Sequence, residues 1–201
     1  MTLALPSAPS QSPRRQVFVA TALAAAAAGM ILAGMIAVWM KFRAGAPTRP
    51  SSDGLRVIKD WMAKDITVPE VATNTMFVTF PVAALMAQWA VYSAKRRDSQ
   101  HRSLALAIVF VLGIAIVNAQ VAVYAQMEVV LSESAFATLF YAITGTMLAL
   151  VAIGMAFTAV AFFRSVGGRD DDQQVVSANA LYWYFLTAAF TAVWFFVYVQ
   201  K

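Results

Sequence analysis

The sequence contains no cysteine and only one histidine among its 201 residues. Without thiols the chain cannot form a disulfide, a thiolate metal centre or a Cys-x-x-Cys redox motif. Its one histidine, His101, lies in a run of basic residues, whereas haem iron in a protein is usually held by histidine or by a sulfur ligand. The sequence therefore predicts a chain that holds no cofactor of its own, whether haem, copper or zinc.

Charge is also scarce, because only 12% of the residues are charged while 61% are hydrophobic. An ordinary soluble domain carries about twice that charged fraction. Runs of about 20 apolar residues are long enough to cross a bilayer as helices, and these runs lack the two-residue alternation of barrel strands. We therefore predict an all-α fold, an integral membrane bundle of five transmembrane helices over residues 17–40, 71–94, 104–127, 135–163 and 178–199.

No Asp, Glu, Lys, Arg or His lies inside the core of any apolar run. A charge at the bilayer centre costs about 2.5–3.5 kcal/mol on insertion scales and is kept where ions or protons move. Its absence argues against a pump or a proton-coupled transporter. The basic residues lie at the ends of the runs, as in membrane proteins, so no nucleic-acid partner is expected.

Outside the runs, residues 1–16 are rich in Pro, Ser and Gln and are predicted to form a flexible tail ahead of the membrane domain, residues 17–201. Residues 55–66 carry apolar side chains at helical spacing, which predicts a short helix at the membrane surface or against a partner protein. Arg14, Arg15 and the basic run from Lys95 to Arg102 place the amino terminus in the cytoplasm and the carboxyl terminus outside. We expect the basic run itself to be solvated or to face lipid headgroups.

Small residues recur every four positions in the first run, among them Gly29 and Ala33, which predicts close approach of another helix. In the third run, Asn118 and Gln120 lie deep among apolar residues, where each amide needs a hydrogen-bond partner. A neighbouring helix is the expected partner. The alternative is a small polar-solute carrier, in which Asn118, Gln120, Asn74 and Thr144 would line a path.

The fourth run contains F-Y-A-I-T-G-T-M-L-A-L-V-A-I-G from Phe140 to Gly154. It resembles the fourth-helix signature of the five-span form of haem-copper oxidase subunit III, and the matching positions include Thr144, Gly145 and Gly154. Met147 and Leu150 stand where the family has histidines. The last run resembles the family pattern Y-W-H-F-x-D, with Tyr184 in place of the histidine and Thr187 in place of the aspartate. The family's glutamates in the first and third spans would fall near Ala28 and at Val123.

The resemblance implies a non-catalytic membrane subunit of a haem-copper terminal oxidase, such as a cytochrome c oxidase of an aerobic respiratory chain. Its implied partners are the catalytic subunit I, which would carry the haem and copper, other oxidase subunits and membrane phospholipid. The implied location is a bacterial cell membrane. Because the family's carboxylates and histidines are missing, an accessory subunit of a nitric oxide reductase or of another respiratory complex stays open as an alternative. We expect Gly29, Ala33, Asn118, Gln120, Thr144, Gly145 and Gly154 to serve helix packing or partner contact.

Overall fold

Five long helices make up most of the part of the chain that the structure describes. The computed structural model describes residues 15–50, 57–62, 68–127, 134–168 and 173–200. The helices are α1 (Gln16–Gly45), α2 (Glu70–Lys95), α3 (Ser99–Met127), α4 (Ala135–Val166) and α5 (Gln173–Val193), which continues as a π-helical segment, Trp194–Val199. All five are long and apolar enough to cross a membrane. The prediction of an all-α membrane bundle with five spans is confirmed.

Helix α5 is the central helix of the bundle, because it packs against α1, α2 and α4. Helix α3 packs between α2 and α4. The buried positions of α5 recur at helical spacing and include Trp183, Leu186 and Phe190. Phe190 stacks on Phe80 of α2 with ring centroids 4.4 Å apart. These contacts fix the rotation of α5 and therefore which of its polar side chains face the other helices.

A tight turn joins α2 to α3. Arg97 adopts a left-handed backbone conformation with φ 56°, which closes the end of α2. Asp98 follows, and its carboxylate accepts a hydrogen bond of 3.1 Å from the backbone N–H of His101 in the first turn of α3. The turn thus aligns α2 and α3 as antiparallel neighbours.

Two short strands follow α1, and they correct the prediction of a helix over residues 55–66. The strand β1 (Thr48–Pro50) pairs antiparallel with β2 (Val57–Lys59), in a register that places Arg49 opposite Ile58. Val57 and Ile58 are β-branched and favour extended backbone, and the Asp60 N–H donates to the Pro47 carbonyl at 2.7 Å. The helix prediction is therefore wrong for residues 57–59, whereas residues 55, 56 and 63–66 lie outside the described residues.

Two aromatic contacts hold the hairpin against the bundle. The ring of Trp61 lies edge-on to that of Trp39 at the end of α1, with centroids 5.3 Å apart. Trp61 also lies 6.0 Å from Phe136 at the start of α4.

The predicted flexible tail, residues 1–16, falls mostly outside the described residues, which begin at Arg15. Gln16 is already part of α1.

Candidate functional site

Two hydrogen-bonded pairs lie at the end of the bundle where α3 and α5 finish and α4 begins. The Tyr198 hydroxyl donates to Gln120 Oε1 at 3.0 Å. The Tyr124 hydroxyl donates to Thr144 Oγ1 at 2.8 Å, and Thr144 in turn donates to the Phe140 carbonyl at 2.7 Å. Gln120, Thr144 and Tyr198 are all buried. The polar groups of this end are therefore used to join α3, α4 and α5.

Aromatic rings enclose these pairs. Phe140 lies edge-on to Tyr198 at 5.7 Å between centroids, and Tyr124 lies 4.9 Å from Tyr141. Tyr198 is thereby buried, whereas Tyr124 remains half-buried. The amide nitrogen of Gln120 is buried and has no partner among the described residues, so the cluster lacks an acceptor for the NH₂ group of Gln120.

A second cluster joins α4 to α5 in the other half of the bundle. The Trp183 indole N–H donates to Thr158 Oγ1 at 2.9 Å, and that oxygen lies 2.9 Å from Asn179 Oδ1 and 2.8 Å from the Gly154 carbonyl. Either oxygen can accept the threonine proton. Thr158, Asn179 and Trp183 have no exposed surface. The cluster is a fully buried connection between α4 and α5.

Arg102 is buried, which corrects the expectation that the whole basic run is solvated or faces lipid headgroups. Only 1% of Arg102 is exposed, and its Nε donates to Ser165 Oγ at 2.6 Å in the last turn of α4. A cation is favourable there because the carboxyl end of a helix carries partial negative charge. Arg102 therefore fastens the start of α3 to the end of α4.

Sequence reasoning did not single out Thr158, Asn179 or Trp183 as a cluster. The signal lay in helical phase, because Asn179 and Trp183 share one stripe of α5 with the buried Val176 and Leu186. Arg102 similarly shares the buried stripe of α3 with Leu106 and Val109. Phase shows that a side chain points inward, but it does not show which helix supplies its partner.

Polar contacts also run along the groove between α2 and α5. The Trp194 indole donates to Asn74 Oδ1 at 3.2 Å, the Thr187 hydroxyl lies 3.1 Å from the Phe80 carbonyl, and the Tyr184 hydroxyl lies 3.5 Å from Gln88 Oε1. We call the side chains of Asn74, Gln88, Tyr184 and Trp194 the α2–α5 seam. Asn74, Gln88 and Tyr184 remain exposed on the helix surface. The seam is polar, lies on the membrane-facing surface and is only partly satisfied within the chain.

The predicted packing residues have different environments. A Cβ added to Gly154 would lie 3.0 Å from both Leu186 Cδ1 and Tyr182 Cε1, and one added to Gly29 would lie 3.5 Å from Phe185 Cε2. Both glycines thus face α5. Gly145 has no described atom within 4 Å of its added Cβ, and Ala33 is exposed.

The polar residues of the predicted carrier path are not brought together. Asn118 is exposed on the surface of α3, opposite the buried stripe, and Asn74 is exposed on α2. Gln120 and Thr144 are instead buried, each bonded to a tyrosine. Because Asn118 and Asn74 face outward while Gln120 and Thr144 face the interior, the four side chains do not line one polar path.

In α1, α3 and α4, the positions where the family has histidine or carboxylate carry apolar side chains. Met147 and Val123 are buried in the core, and Ala28 is half-buried on α1. Leu150 is also half-buried, and its carbonyl accepts a hydrogen bond of 3.0 Å from the Tyr182 hydroxyl. Among the described residues, no three His, Asp or Glu side chains lie together as a metal site requires.

The described residues line several open cavities at the surface of the bundle, two of which lie beside α4. One of about 460 Å³ lies between the end of α1, the β-hairpin and the start of α4, with Lys41, Trp61 and Ser134 in its walls. The other, about 230 Å³, is an apolar groove between α3 and α4 that contains Phe110, Phe162 and Phe163. The groove offers only hydrocarbon and aromatic surface.

Comparisons with a family model and with individual known proteins indicate the same family. Residues 64–201 match the family model for cytochrome c oxidase subunit III, a stretch that begins after α1. Over 114 residues, 56% of this chain, the sequence is 30% identical to cytochrome c oxidase subunit 3 of Bos taurus and 31% identical to that of Tragelaphus imberbis.

The matched stretch covers 42% of each of these relatives. The family match nevertheless extends over more than half of this chain, through α2, α3, α4 and α5. The resemblance carried by Phe140, Tyr141, Thr144, Gly145 and Gly154 is therefore confirmed, and the chain belongs to the cytochrome c oxidase subunit III family.

Proposed function

We propose that this chain is a non-catalytic accessory subunit of a haem-copper terminal oxidase, packed in the membrane against the catalytic subunit. The observation that carries the proposal is the family match over residues 64–201, supported by relatives that are themselves cytochrome c oxidase subunits. On this proposal the haem and copper belong to the partner, and the reduction of oxygen takes place there.

The interior of the bundle supports a structural role. Its buried polar groups connect helices to one another, as the pairs Tyr198–Gln120 and Trp183–Thr158 do. The family positions that would carry carboxylate or imidazole groups hold side chains such as Met147 and Val123, which neither bind nor release protons. A chain with this interior contributes shape and surface to a complex.

The outer surface supports contact with lipid and protein. Large apolar side chains are exposed along every helix, among them Leu23, Leu85, Val111 and Phe163. The apolar groove between α3 and α4 has the chemistry of an acyl-chain site. We propose membrane phospholipid as its occupant and a bacterial cell membrane as the location of the complex.

The experiment that tests this function compares two preparations of one tagged chain. Gentle detergent extraction from native membranes should recover the chain with a haem protein, whereas the chain expressed and purified alone should be colourless. Absorption spectra and a metal assay on both preparations give the answer. Stoichiometric haem or copper in the chain purified alone, or no redox protein in the native preparation, would overturn the proposal.

A further inference from the structure

The two amide side chains of the α2–α5 seam, Asn74 and Gln88, form hydrogen bonds through their acceptor oxygens only. Asn74 accepts from Trp194 and Gln88 accepts from Tyr184, each through its carbonyl oxygen. Each amide also carries an NH₂ group with two donors. Neither NH₂ group donates to any residue in the part of the chain that the structure describes, and both side chains are exposed.

The depth of an amide NH₂ group in the membrane sets the free-energy cost of leaving it without a hydrogen-bond partner. Asn74 is the fifth residue of α2 and Gln88 the nineteenth, in a helix of 26 residues. About 20 residues cross the hydrocarbon layer, so a centred α2 places Gln88 about 7 Å inside this layer and Asn74 within about 3 Å of its edge. An amide donor without a partner in hydrocarbon costs several kcal/mol.

The spacing of Asn74 and Gln88 along α2 indicates what kind of molecule contacts both amides. Fourteen residues separate Asn74 from Gln88, which is about four helical turns and about 21 Å along one face of α2. Acyl chains offer no acceptor, and Gln88 lies about 10 Å from the end of α2 at Lys95, below the reach of a lipid headgroup. Asn74 lies near the start of α2, but the occupant must present an acceptor at the depth of Gln88 as well, as a transmembrane helix does.

We infer that the α2–α5 seam is the surface on which a transmembrane helix of the catalytic subunit packs, with acceptor groups that face Asn74 and Gln88. This inference rests on the proposed function, since that function supplies the partner. Tyr184 and the exposed Thr191 continue the same surface on α5. Hydrogen bonds between membrane helices commonly come from amide and hydroxyl side chains of this kind.

The other exposed faces carry fewer amide side chains. The outward face of α1 presents side chains such as Leu23, Met30 and Ile31, which lipid satisfies. The outward face of α3 presents one amide, Asn118, among apolar neighbours such as Val111 and Val121. Asn118 has no hydrogen-bond partner among the described residues either, so the control is an exposed apolar residue of that face, Val121.

The first arm of the test removes the amides. The double variant Asn74→Leu with Gln88→Leu, expressed as the full chain in native membranes, should retain about fivefold to tenfold less haem protein after detergent washing. Val121→Leu, on the outward face of α3, should retain as much as the wild type. Equal retention by the double variant, or a larger loss with Val121→Leu, would overturn the inference.

The second arm does not depend on the double variant folding. The photoreactive residue p-benzoylphenylalanine is placed at Tyr184, where it keeps an aromatic ring, and separately at Val111 as the control. Irradiation of native membranes should cross-link the chain to the haem protein from position 184 and not from position 111. Cross-links from 184 only to lipid or to a second copy of the chain would defeat the inference.

The two failures can be told apart. If the wild-type chain recovers a haem protein but position 184 does not cross-link to it, the seam assignment fails and the accessory-subunit function stands. If the wild-type chain recovers no haem protein, the proposed function itself fails.

Discussion

Tyr198 and Gln120 form a buried hydrogen bond of 3.0 Å that joins the last turns of α5 to α3. It closes an end of the bundle that consists otherwise of aromatic rings, including Phe140 and Phe190, which lie 5.7 Å and 6.3 Å from the Tyr198 ring. The bond joins two helices that pack chiefly against other neighbours. It is therefore a sensitive point for the stability of the isolated chain.

The change Tyr198→Phe should lower the free energy of unfolding in detergent by about 1 kcal/mol, because it leaves the Gln120 oxygen buried without its donor. Adding Gln120→Leu should recover part of the loss, since it also removes the amide nitrogen that has no partner among the described residues. Denaturant titration of the two variants and the wild type measures both effects. A double variant that is less stable than Tyr198→Phe alone would show that the interpretation of this bond is wrong.

Arg102 gives the second prediction. Ser165→Ala removes the oxygen that accepts from Arg102 Nε and leaves a buried cation with fewer bonds. We expect a loss of about 1.5–3 kcal/mol in the free energy of unfolding, the range for hydrogen bonds to charged groups. Lys95→Met, in the same basic run but exposed, is the control and should change stability by less than about 0.5 kcal/mol. Similar losses for the two variants would contradict the structural role assigned to Arg102.

Gly154 and Gly145 provide a paired test of the motif in α4. Gly154→Ala brings a methyl group to within 3.0 Å of the Tyr182 ring, and that ring is held because the Tyr182 hydroxyl donates to the Leu150 carbonyl. Overpacking of about 1–3 kcal/mol then outweighs the gain of about 1 kcal/mol that alanine brings to a helix. Gly145→Ala meets no described atom within 4 Å and should be neutral or stabilising in the isolated chain. Thermal unfolding of both variants in detergent checks the sign of each effect.

The fold was predictable because the membrane restricts the choices. Runs of apolar residues without alternation leave only helices, and this argument located all five. The segment around Val57 was mispredicted because apolar spacing of three and four residues suited a helix, while pairing with β1 and contact of Trp61 with Trp39 were not visible in the sequence.

The candidate site was only partly predictable. The sequence identified Gln120, Thr144 and Gly154 through buried amides and a family motif, and each has a defined partner or contact. Asn118 looked equivalent to Gln120, yet two residues along a helix turn a side chain by about 200°, and Asn118 faces outward. Which residue each buried side chain contacts depends on how the helices are arranged around α5. That arrangement could not be predicted from a single sequence.

The orientation in the membrane gives the fourth prediction. We expect the amino terminus in the cytoplasm, which places Ser99 inside and Thr48 outside, because the short loop at Lys95–Arg102 is strongly basic. The chain has no cysteine, so Ser99→Cys and Thr48→Cys each provide a single labelling site, and both residues are exposed. An impermeant thiol reagent added to intact cells should label position 48 only. Labelling at position 99 from outside would reverse the orientation.

The turn between α2 and α3 gives the last prediction, which concerns pH. The backbone N–H of His101 donates to the Asp98 carboxylate at 3.1 Å, and this bond, with the imidazole contact, holds the pKa of Asp98 below its usual value. A carboxyl whose pKa is lower in the folded chain stabilises the fold at pH values above its unfolded pKa, about 4. That contribution is lost as the pH falls through the lower pKa of the folded state.

Asp98→Asn keeps an amino-terminal cap for α3 but cannot titrate. Wild-type stability should therefore fall more steeply than that of the variant as the pH is lowered from 5 to 3, and the difference between the two should shrink towards acid. Thermal unfolding in detergent at a series of pH values measures both curves, and because Asp98 lies at the surface the effect should also weaken in high salt. Parallel curves over this range would show that the carboxylate of Asp98 does not stabilise the start of α3.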